Sequence, residues 1–158
     1  MKYSSRKDTK KHIWTVRKMM FKIIWELLKR AIRHDKTKLQ KSEKAGFDIY
    51  TPKLAHCTYG SDEYKQFLQE LKPYLNHHYY KNRHHPEHFE NGIQDMNLAD
   101  IIEMLCDWYA ATKRHNDGNI LTSILLNKDR FKYTAETAEI FRNTIYYFWG
   151  KDLPKKPD

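Results

Sequence analysis

The chain has 158 residues, of which 40% are hydrophobic and 31% are charged. These proportions are typical of one globular domain and exclude a disordered chain. Five Gly and five Pro are too few for a turn-rich all-β fold, so the composition favours helices. Two cysteines cannot make a disulfide framework, and Cys106, which lies in an apolar stretch, is predicted to be buried.

The formal net charge of +9 favours an anionic partner, either a nucleotide-like substrate or nucleic acid. Much of the excess lies near the two ends, where solvated surface charge is the simpler explanation. No apolar run approaches the roughly 18 residues that span a bilayer, and no secretory signal is visible. We therefore expect a cytoplasmic protein without a membrane partner.

The first long segment, from Thr9 to His34, contains neither Gly nor Pro and is predicted to be helical. Its apolar residues recur at helical spacing, at Ile13, Val16, Met20, Ile23, Ile24, Leu27, Leu28 and Ile32. In a continuous helix His12 and His34 would lie roughly 33 Å apart, at 1.5 Å per residue. A shared metal ion would need a chain reversal between Arg17 and Phe21. The tryptophans are predicted to be core residues: Trp14, Trp25, Trp108 and Trp149.

The middle of the chain is predicted to form two helices separated by a loop. Residues 39–48 indicate a short helix ending near Gly46, and the Pro and Gly of 51–60 indicate a loop. Ser61 is the expected N-cap of a strong helix that runs to residue 82. On its apolar stripe His78 should face inward, whereas His77 should lie more to the side.

The rest of the chain is predicted as one loop and three further helices. Residues 83–96 form the loop, and Asn97 with Asp100 makes an approximate capping box for a mostly apolar helix over 98–114. A turn at 115–118, a short helix, and a last helix from Thr134 to Gly150 complete the prediction. The result is an all-α bundle of six or seven helices over 9–149, with a basic extension at 1–8 and a flexible tail at 150–158.

Imidazoles and carboxylates are concentrated between residues 77 and 107. The segment holds five of the nine histidines, and three acids follow at helical spacing, so that they share one face: Asp100, Glu103 and Asp107. This is the ligand set of a divalent metal such as Mn, Fe, Zn or Ni, with one or two ions. Asp107 has apolar neighbours, and burying it costs several kcal/mol unless it is bound to a cation or paired, for example with Arg114. His34-Asp35 at a helix end is a second ligand pair, with a solvated terminus as the alternative.

The order His12, His34-Asp35, Asp107 resembles the H…HD…D signature of the HD-domain metal phosphohydrolases, and HDKTK at 34–38 resembles their HD-x-x-K turn. HHPE at 84–87 with residues 101–114 is similar to the corresponding segments of the HD-GYP branch, although no GYP follows. Residues 9–145 are more similar still to a small uncharacterised family of bacterial and phage proteins. The phrases that carry this similarity are HIWTVRK, RHDKTKL, YGSDEY, HHYYKNRHHPEHF and MNLADIIEMLCDWYAA.

The resemblance implies an HD-domain-like fold and a set of site residues. The metal ligands would be His12, His34, Asp35 and Asp107, with His78 and His85 for a second ion. His77, His84 and His88 would support the ligands or lie on the surface, and either member of each HH pair remains open as the ligand. The catalytic candidates are Glu87, Glu103 and Lys38; the candidates for phosphate binding are Lys81, Arg83 and Arg114.

The function expected from these residues is metal-dependent hydrolysis of a nucleotide or another small phosphate ester. A nucleic-acid-associated accessory protein with a structural metal site is one alternative. A diiron oxygenase on the same kind of scaffold is the other.

Overall fold

A computed structural model describes residues 4–58, 60–114 and 118–153. These ranges contain no strand and six α-helices, which confirms the predicted all-α fold: α1 Arg6–Arg33, α2 Lys41–His56, α3 Asp62–Lys81, α4 Leu98–Thr112, α5 Ile120–Phe131 and α6 Ala135–Trp149. Within them, no helix combines the length and hydropathy needed to cross a bilayer. The predicted turn at 115–118 lies largely outside the described residues.

The chain divides into two compact units, one ending at His34 and the other beginning at Asp35. The first unit is α1, a continuous helix of 28 residues. The chain reversal between Arg17 and Phe21 that a shared ion requires is therefore absent, and His12 stays roughly 33 Å from His34 along the axis. The cause is local, because this segment consists of good helix formers without Gly or Pro.

Two of the four tryptophans predicted to be buried lie instead on the surface of α1. Trp14 is 58% exposed and Trp25 is 61% exposed. Trp108 and Trp149 do pack against the core of the second unit. The prediction was wrong for the first pair because apolar spacing identifies a face without identifying what covers it.

Helix α2 is longer than predicted and passes through both residues that indicated its end. Gly46 is buried there because α2 packs on α3, where a Cβ at this position would overlap the ring of Tyr74. Pro52 is accommodated inside the helix, which continues to His56. The predicted loop at 51–60 is therefore wrong over 51–56, since the glycine serves helix packing and the proline interrupts only one backbone hydrogen bond.

The helix caps predicted at Ser61, Asn97 and Thr134 are confirmed. The Ser61 Oγ accepts a hydrogen bond from the Tyr64 N–H at 3.1 Å, and Thr134 caps α6 in the same way. At the start of α4 the Asn97 side chain accepts from the Asp100 N–H at 3.1 Å, while the Asp100 carboxylate accepts from the Asn97 N–H at 3.0 Å. These caps determine where α3, α4 and α6 begin, and so which side chains of each helix face inward.

The core of the second unit lies between α4, α5 and α6. Its buried side chains come from all three helices and include Met104, Leu105, Tyr109, Ile120, Ile124, Phe141 and Ile145. Cys106 is exposed, contrary to prediction, because it lies about half a turn from Met104 and points away from this core.

The described structure continues past α6. Residues Gly150–Asp152 form a 3₁₀ turn, and Leu153 packs against the core.

Candidate metal centre

Four separate segments of the second unit supply the polar side chains of the candidate site. Asp35 precedes a 3₁₀ turn, Lys36–Leu39, and has a left-handed backbone with φ 54°. His78 lies in the last turn of α3, His84 and His85 lie in the following loop, and Asp107 lies in α4. Left-handed geometry is uncommon outside glycine and recurs at functional sites.

Nitrogen and oxygen atoms of these side chains converge in one place. Asp35, His78, His84 and His85 each offer a ligand atom, and these atoms lie within 4.8 Å of one another. The ligand atoms of Asp35, His84 and Asp107 also lie within 4.8 Å of one another. The Asp35 Oδ1 is 3.2 Å from the His78 Nε2 and 3.4 Å from the His84 Nε2. One ion could therefore be held by residues far apart in the sequence.

In two of the three histidines, the Nδ1 atom contacts the carboxylate of a glutamate. The His78 Nδ1 lies 2.8 Å from the Glu43 Oε2, and the His84 Nδ1 lies 3.3 Å from the Glu103 Oε1. His78 and Glu43 are fully buried at 0% exposure, and His84 is 2% exposed. A carboxylate that accepts a hydrogen bond from Nδ1 orients the imidazole so that Nε2 faces the cluster.

Glu43 is the centre of a wider hydrogen-bond network. Its carboxylate accepts from the Thr37 hydroxyl at 3.0 Å, and that hydroxyl accepts from the Asn82 amide at 2.9 Å. The other Glu43 oxygen lies 2.7 Å from the His77 Nδ1. The buried carboxylate is thus surrounded by donors, which compensates for its burial and fixes the orientation of His78.

The surroundings shift the acidities of the clustered groups. Burial lowers the pKa of His85 to about 2, with the neighbouring His84 and His78 adding to the effect. Burial opposes ionisation of Asp35, but hydrogen bonds with His78 and His84 outweigh it and hold the pKa of Asp35 well below its usual value. For His84, burial is outweighed by hydrogen bonds with Asp35 and Glu103, which raise its pKa. A neutral His85 and an ionised Asp35 are the forms that bind a metal.

A small recess of about 150 Å³ opens beside the cluster. Its wall includes His85 and Asp107 together with Arg130 and the buried pair Ser123 and Asn127, whose side chains are hydrogen-bonded at 3.3 Å. The cluster therefore borders a polar space large enough for a small anionic group.

A wider groove of about 640 Å³ shares three lining residues with the recess: Tyr79, Glu87 and Arg130. Lys65 and Lys72 on α3 add positive charge to the groove. Where the recess and the groove meet, the Arg130 Nη2 donates to the Glu87 Oε1 at 2.6 Å. The two spaces together could hold an anionic group and a larger body attached to it.

The remaining predicted histidines lie in different surroundings. His77 is partly exposed and contacts Glu43, in agreement with its predicted sideways position. The His88 Nδ1 lies 3.0 Å from the backbone oxygen of Tyr79. His34 caps the end of α1 and directly precedes Asp35 in the chain, whereas His12 lies within α1. For the pair His84 and His85, in which either member remained open as the ligand, both side chains lie among the clustered donors.

The predicted cations mostly have partners of their own. Lys38 donates to the Asp35 Oδ2 at 2.5 Å, so its charge is directed at a candidate ligand. Arg83 makes two hydrogen bonds to the buried Asp100, at 3.2 and 3.1 Å, which indicates a structural role rather than the predicted phosphate contact. Lys81 lies over the Tyr80 ring, and Arg114 is exposed at the end of α4.

Sequence reasoning missed the residues that come from helices α2 and α5. Glu43, in α2, lies 34 and 35 residues before the histidines it contacts, and no local pattern connects them. Ser123, Asn127 and Arg130 lie in α5. Ser123 and Asn127 are four residues apart and so share one face, and polar residues at that spacing in an otherwise apolar helix were the available signal.

Comparison with known proteins agrees with the similarity to an uncharacterised family, and adds nothing for or against the resemblance to HD-domain phosphohydrolases. No curated protein and no solved structure matches the chain significantly. One family model, described as a family of unknown function, DUF5662, matches residues 1–149. The chain therefore belongs to the DUF5662 family.

Proposed function

We propose that this protein is a metal-dependent phosphohydrolase that acts on a small phosphate ester, such as a nucleotide. The observation that carries the proposal is the buried convergence of Asp35, His78, His84 and His85, with two of the imidazoles held by carboxylates. Three imidazoles with carboxylates suit a borderline divalent ion such as Zn²⁺, Fe²⁺, Mn²⁺ or Ni²⁺.

The proposed ligands are the clustered side chains of the second unit together with Asp107. Two carboxylates, Asp35 and Asp107, balance the charge of one divalent ion. His34 is joined to Asp35 by a single peptide bond, and we include its imidazole as a further donor. When bound, a divalent ion lowers the pKa of a coordinated water and neutralises charge on phosphoryl oxygens.

The recess supplies the second half of the proposed site. Arg130 carries the planar guanidinium that suits bidentate contact with a phosphate, and Ser123 and Asn127 add hydrogen-bond donors. Glu87 orients Arg130 through their 2.6 Å contact. The adjoining groove, with Tyr79 and two lysines, accommodates the leaving group, which makes a nucleotide a suitable substrate.

The first experiment measures metal by elemental analysis in purified wild type and in Asp107→Ala. We expect stoichiometric metal in the wild type and little in the variant. Equal metal content in the two proteins, or none in either, would contradict the proposed centre.

The second experiment measures hydrolysis of a panel of phosphate esters with Mn²⁺ present. Arg130→Met should raise KM without changing metal content. Arg142→Met is the matched control, because Arg142 has a similar ion pair with Glu139 away from the recess. Oxygen consumption by the iron-loaded protein, without phosphate release, would instead favour an oxygenase. Nucleic-acid binding that falls steeply with salt and survives Asp107→Ala would favour the accessory protein.

A further inference from the structure

The groove beside the recess extends along one face of helix α3. Its lining residues on α3 occupy one side of the helix from Lys65 to Tyr80, which corresponds to roughly 22 Å of helix axis. Tyr79, Glu87 and Arg130 line both spaces and therefore mark the end at which the groove meets the recess. A molecule whose phosphate lies in the recess has room to continue along α3.

We propose that the substrate is the phosphorylated end of a single-stranded nucleic acid. The terminal phosphate lies in the recess, and the nucleotides that follow it lie along the groove. The choice of a strand as substrate rests on the proposed function, and it narrows the small phosphate ester to the end of a strand.

The two spaces differ in size in the way that such a substrate requires. The recess, at about 150 Å³, is well below the roughly 300–1,000 Å³ of pockets that hold whole small molecules, so it suits one phosphate group and cannot hold a nucleoside. The groove, at about 640 Å³, lies within that range. Stacked nucleotides follow one another at about 3.4 Å, so roughly 22 Å of groove is long enough for several of them. A free nucleotide would use only the end beside the recess.

Exposed aromatic surface lies where the first nucleotides would bind. The Tyr79 side chain lines both spaces, and the adjacent Tyr80 lines the groove with 72% of its surface exposed. The Lys81 ammonium lies over the Tyr80 ring at 5.1 Å from its centre, which adds positive charge beside the ring. Proteins that bind single strands combine such rings, on which bases of any sequence stack, with a positively charged groove. Because the bases of a duplex stack on one another, this surface favours a single strand.

The face of α3 that lines the groove is positively charged. Lys72 lies near the middle of the groove and has no acidic partner among the residues that the structure describes. Lys65 lies at the far end and pairs with Asp62 at 3.0 Å. The other two acids of α3, Glu63 and Glu70, lie about 140–160° around the helix from Lys65 and so face away from the groove. A strand that follows α3 therefore places its backbone phosphates beside lysines.

The size of the recess selects the end of a strand over an internal position. A strand that continued on both sides of the reacting phosphate would need space for a nucleoside beyond the recess, and the recess cannot hold one. In the reaction, the oxygen of a water molecule bonds to phosphorus, the bond between phosphorus and the terminal oxygen of the strand breaks, and that oxygen takes a proton from the water. The products are inorganic phosphate and a strand with a hydroxyl end.

Phosphate release from strands and from free nucleotides tests the substrate. Wild type with Mn²⁺ receives an oligothymidylate of about ten nucleotides with a terminal phosphate, or the thymidine monophosphate that carries its phosphate at the same position. Strands phosphorylated at the 5′ end and at the 3′ end, as DNA and as RNA, form separate arms. We expect kcat/KM at least about tenfold higher for at least one strand than for its nucleotide, because stacking and backbone contacts add affinity. Equal values in every arm would overturn the inference and leave the phosphohydrolase in place.

Two variants test whether the strand lies along α3. Lys72→Met should raise KM for the strand more than for the free nucleotide, and should lower the slope of log KM against log salt by about 0.7, because one phosphate contact is lost. Tyr80→Ala should raise KM for the strand about 5–150-fold, the effect of one stacked base. Lys44→Met on α2 and Tyr147→Ala on α6, which are exposed and outside the groove, are the matched controls. Unchanged KM for the strand in both groove variants would overturn the inference.

Strand binding separates a failure of this inference from a failure of the proposed function. The probe is a fluorescent strand whose terminal ester oxygen is replaced by CH₂, so that it cannot be hydrolysed, and anisotropy compares it with the same strand ending in a hydroxyl. Wild type should bind the phosphonate strand at least about tenfold more tightly, and Arg130→Met should lose this preference. Equal binding of the two strands by wild type would overturn the inference. A preference for the phosphonate strand without phosphate release from any ester would refute the proposed hydrolysis and leave the strand end as a ligand only.

Discussion

Glu43 shows how one residue connects burial with chemistry. A fully buried carboxylate is costly, and here it is surrounded by hydrogen-bond donors from Thr37, His77 and His78. Through His78 it fixes which imidazole nitrogen faces the cluster. The buried carboxylate thus orients the imidazole of His78, a proposed metal ligand, before any ion binds.

Glu43→Gln should lower metal affinity about 10–100-fold, because it removes the negative charge behind His78 while keeping the side-chain size. Isothermal titration with Zn²⁺ or Ni²⁺ measures the change. Glu70→Gln is the control, since Glu70 is exposed on α3 and its side chain accepts a hydrogen bond from Gln66. A Glu43→Gln protein with wild-type affinity would remove the orienting role assigned to Glu43.

His85 makes the metal-free protein sensitive to acid. Its pKa is about 2 in the folded state, compared with about 6.5 in an unfolded chain. Between these values the unfolded state binds the additional proton, so the contribution of His85 to stability falls as pH decreases. Titrating groups that do not interact with His85 contribute equally to wild type and to a His85 variant, so the difference between the two proteins reports His85 and its interactions with His84 and His78.

We therefore expect the unfolding free energy of chelator-treated wild type to decrease more steeply below about pH 6.5 than that of His85→Asn. The difference in slope should reach at most about 1.4 kcal/mol per pH unit. Urea unfolding at about pH 7 and pH 5 measures it, with His56→Asn, at an exposed position, as the control. Identical slopes for wild type and His85→Asn would mean that His85 does not titrate as proposed.

At the scale of elements, the contact between α2 and α3 holds Glu43 against the histidines. Gly46 makes this approach possible, since a Cβ there would overlap Tyr74. Glu43 lies one turn before Gly46 on the same buried side of α2. The geometry of the site therefore depends on how closely two helices pack.

Gly46→Ala should destabilise the protein by about 1–3 kcal/mol through overpacking, and should also weaken metal binding by displacing Glu43 from His78. Urea unfolding and metal titration of the same variant measure the two effects. Ala45→Ser, at an exposed position one residue earlier, should change neither. A variant that is destabilised and keeps full metal affinity would show that α2 does not position the site.

At the scale of the whole molecule, a metal that joins Asp35, the end of α3, the following loop and α4 should stabilise the fold. An ion that binds only the folded state adds about 2.7 kcal/mol at a concentration 100 times its Kd. For a protein of this size that corresponds to roughly 5–10 °C in Tm. Thermal unfolding with added metal and with chelator should show this shift in wild type and little shift in Asp107→Ala; an equal shift in both would place the stabilising ion elsewhere.

The sequence by itself determined where α3, α4 and α6 begin, because the caps Ser61, Asn97 and Thr134 act through residues two to three positions away. It also determined that His78 points inward, because that follows from the period of a single helix. The predicted helix end at Gly46 and the predicted loop at Pro52 were wrong, because α2 continues through both residues. The glycine allows close packing against α3, and the proline interrupts only one backbone hydrogen bond.

Only the tertiary structure decided which groups meet. It placed His84 among the clustered donors, and it brought Glu43 and Arg130 to positions that no spacing along the chain encodes. The physical reason is the range of the interactions. Helix capping and periodicity act within a few residues, whereas a site built from four segments depends on how the helices pack.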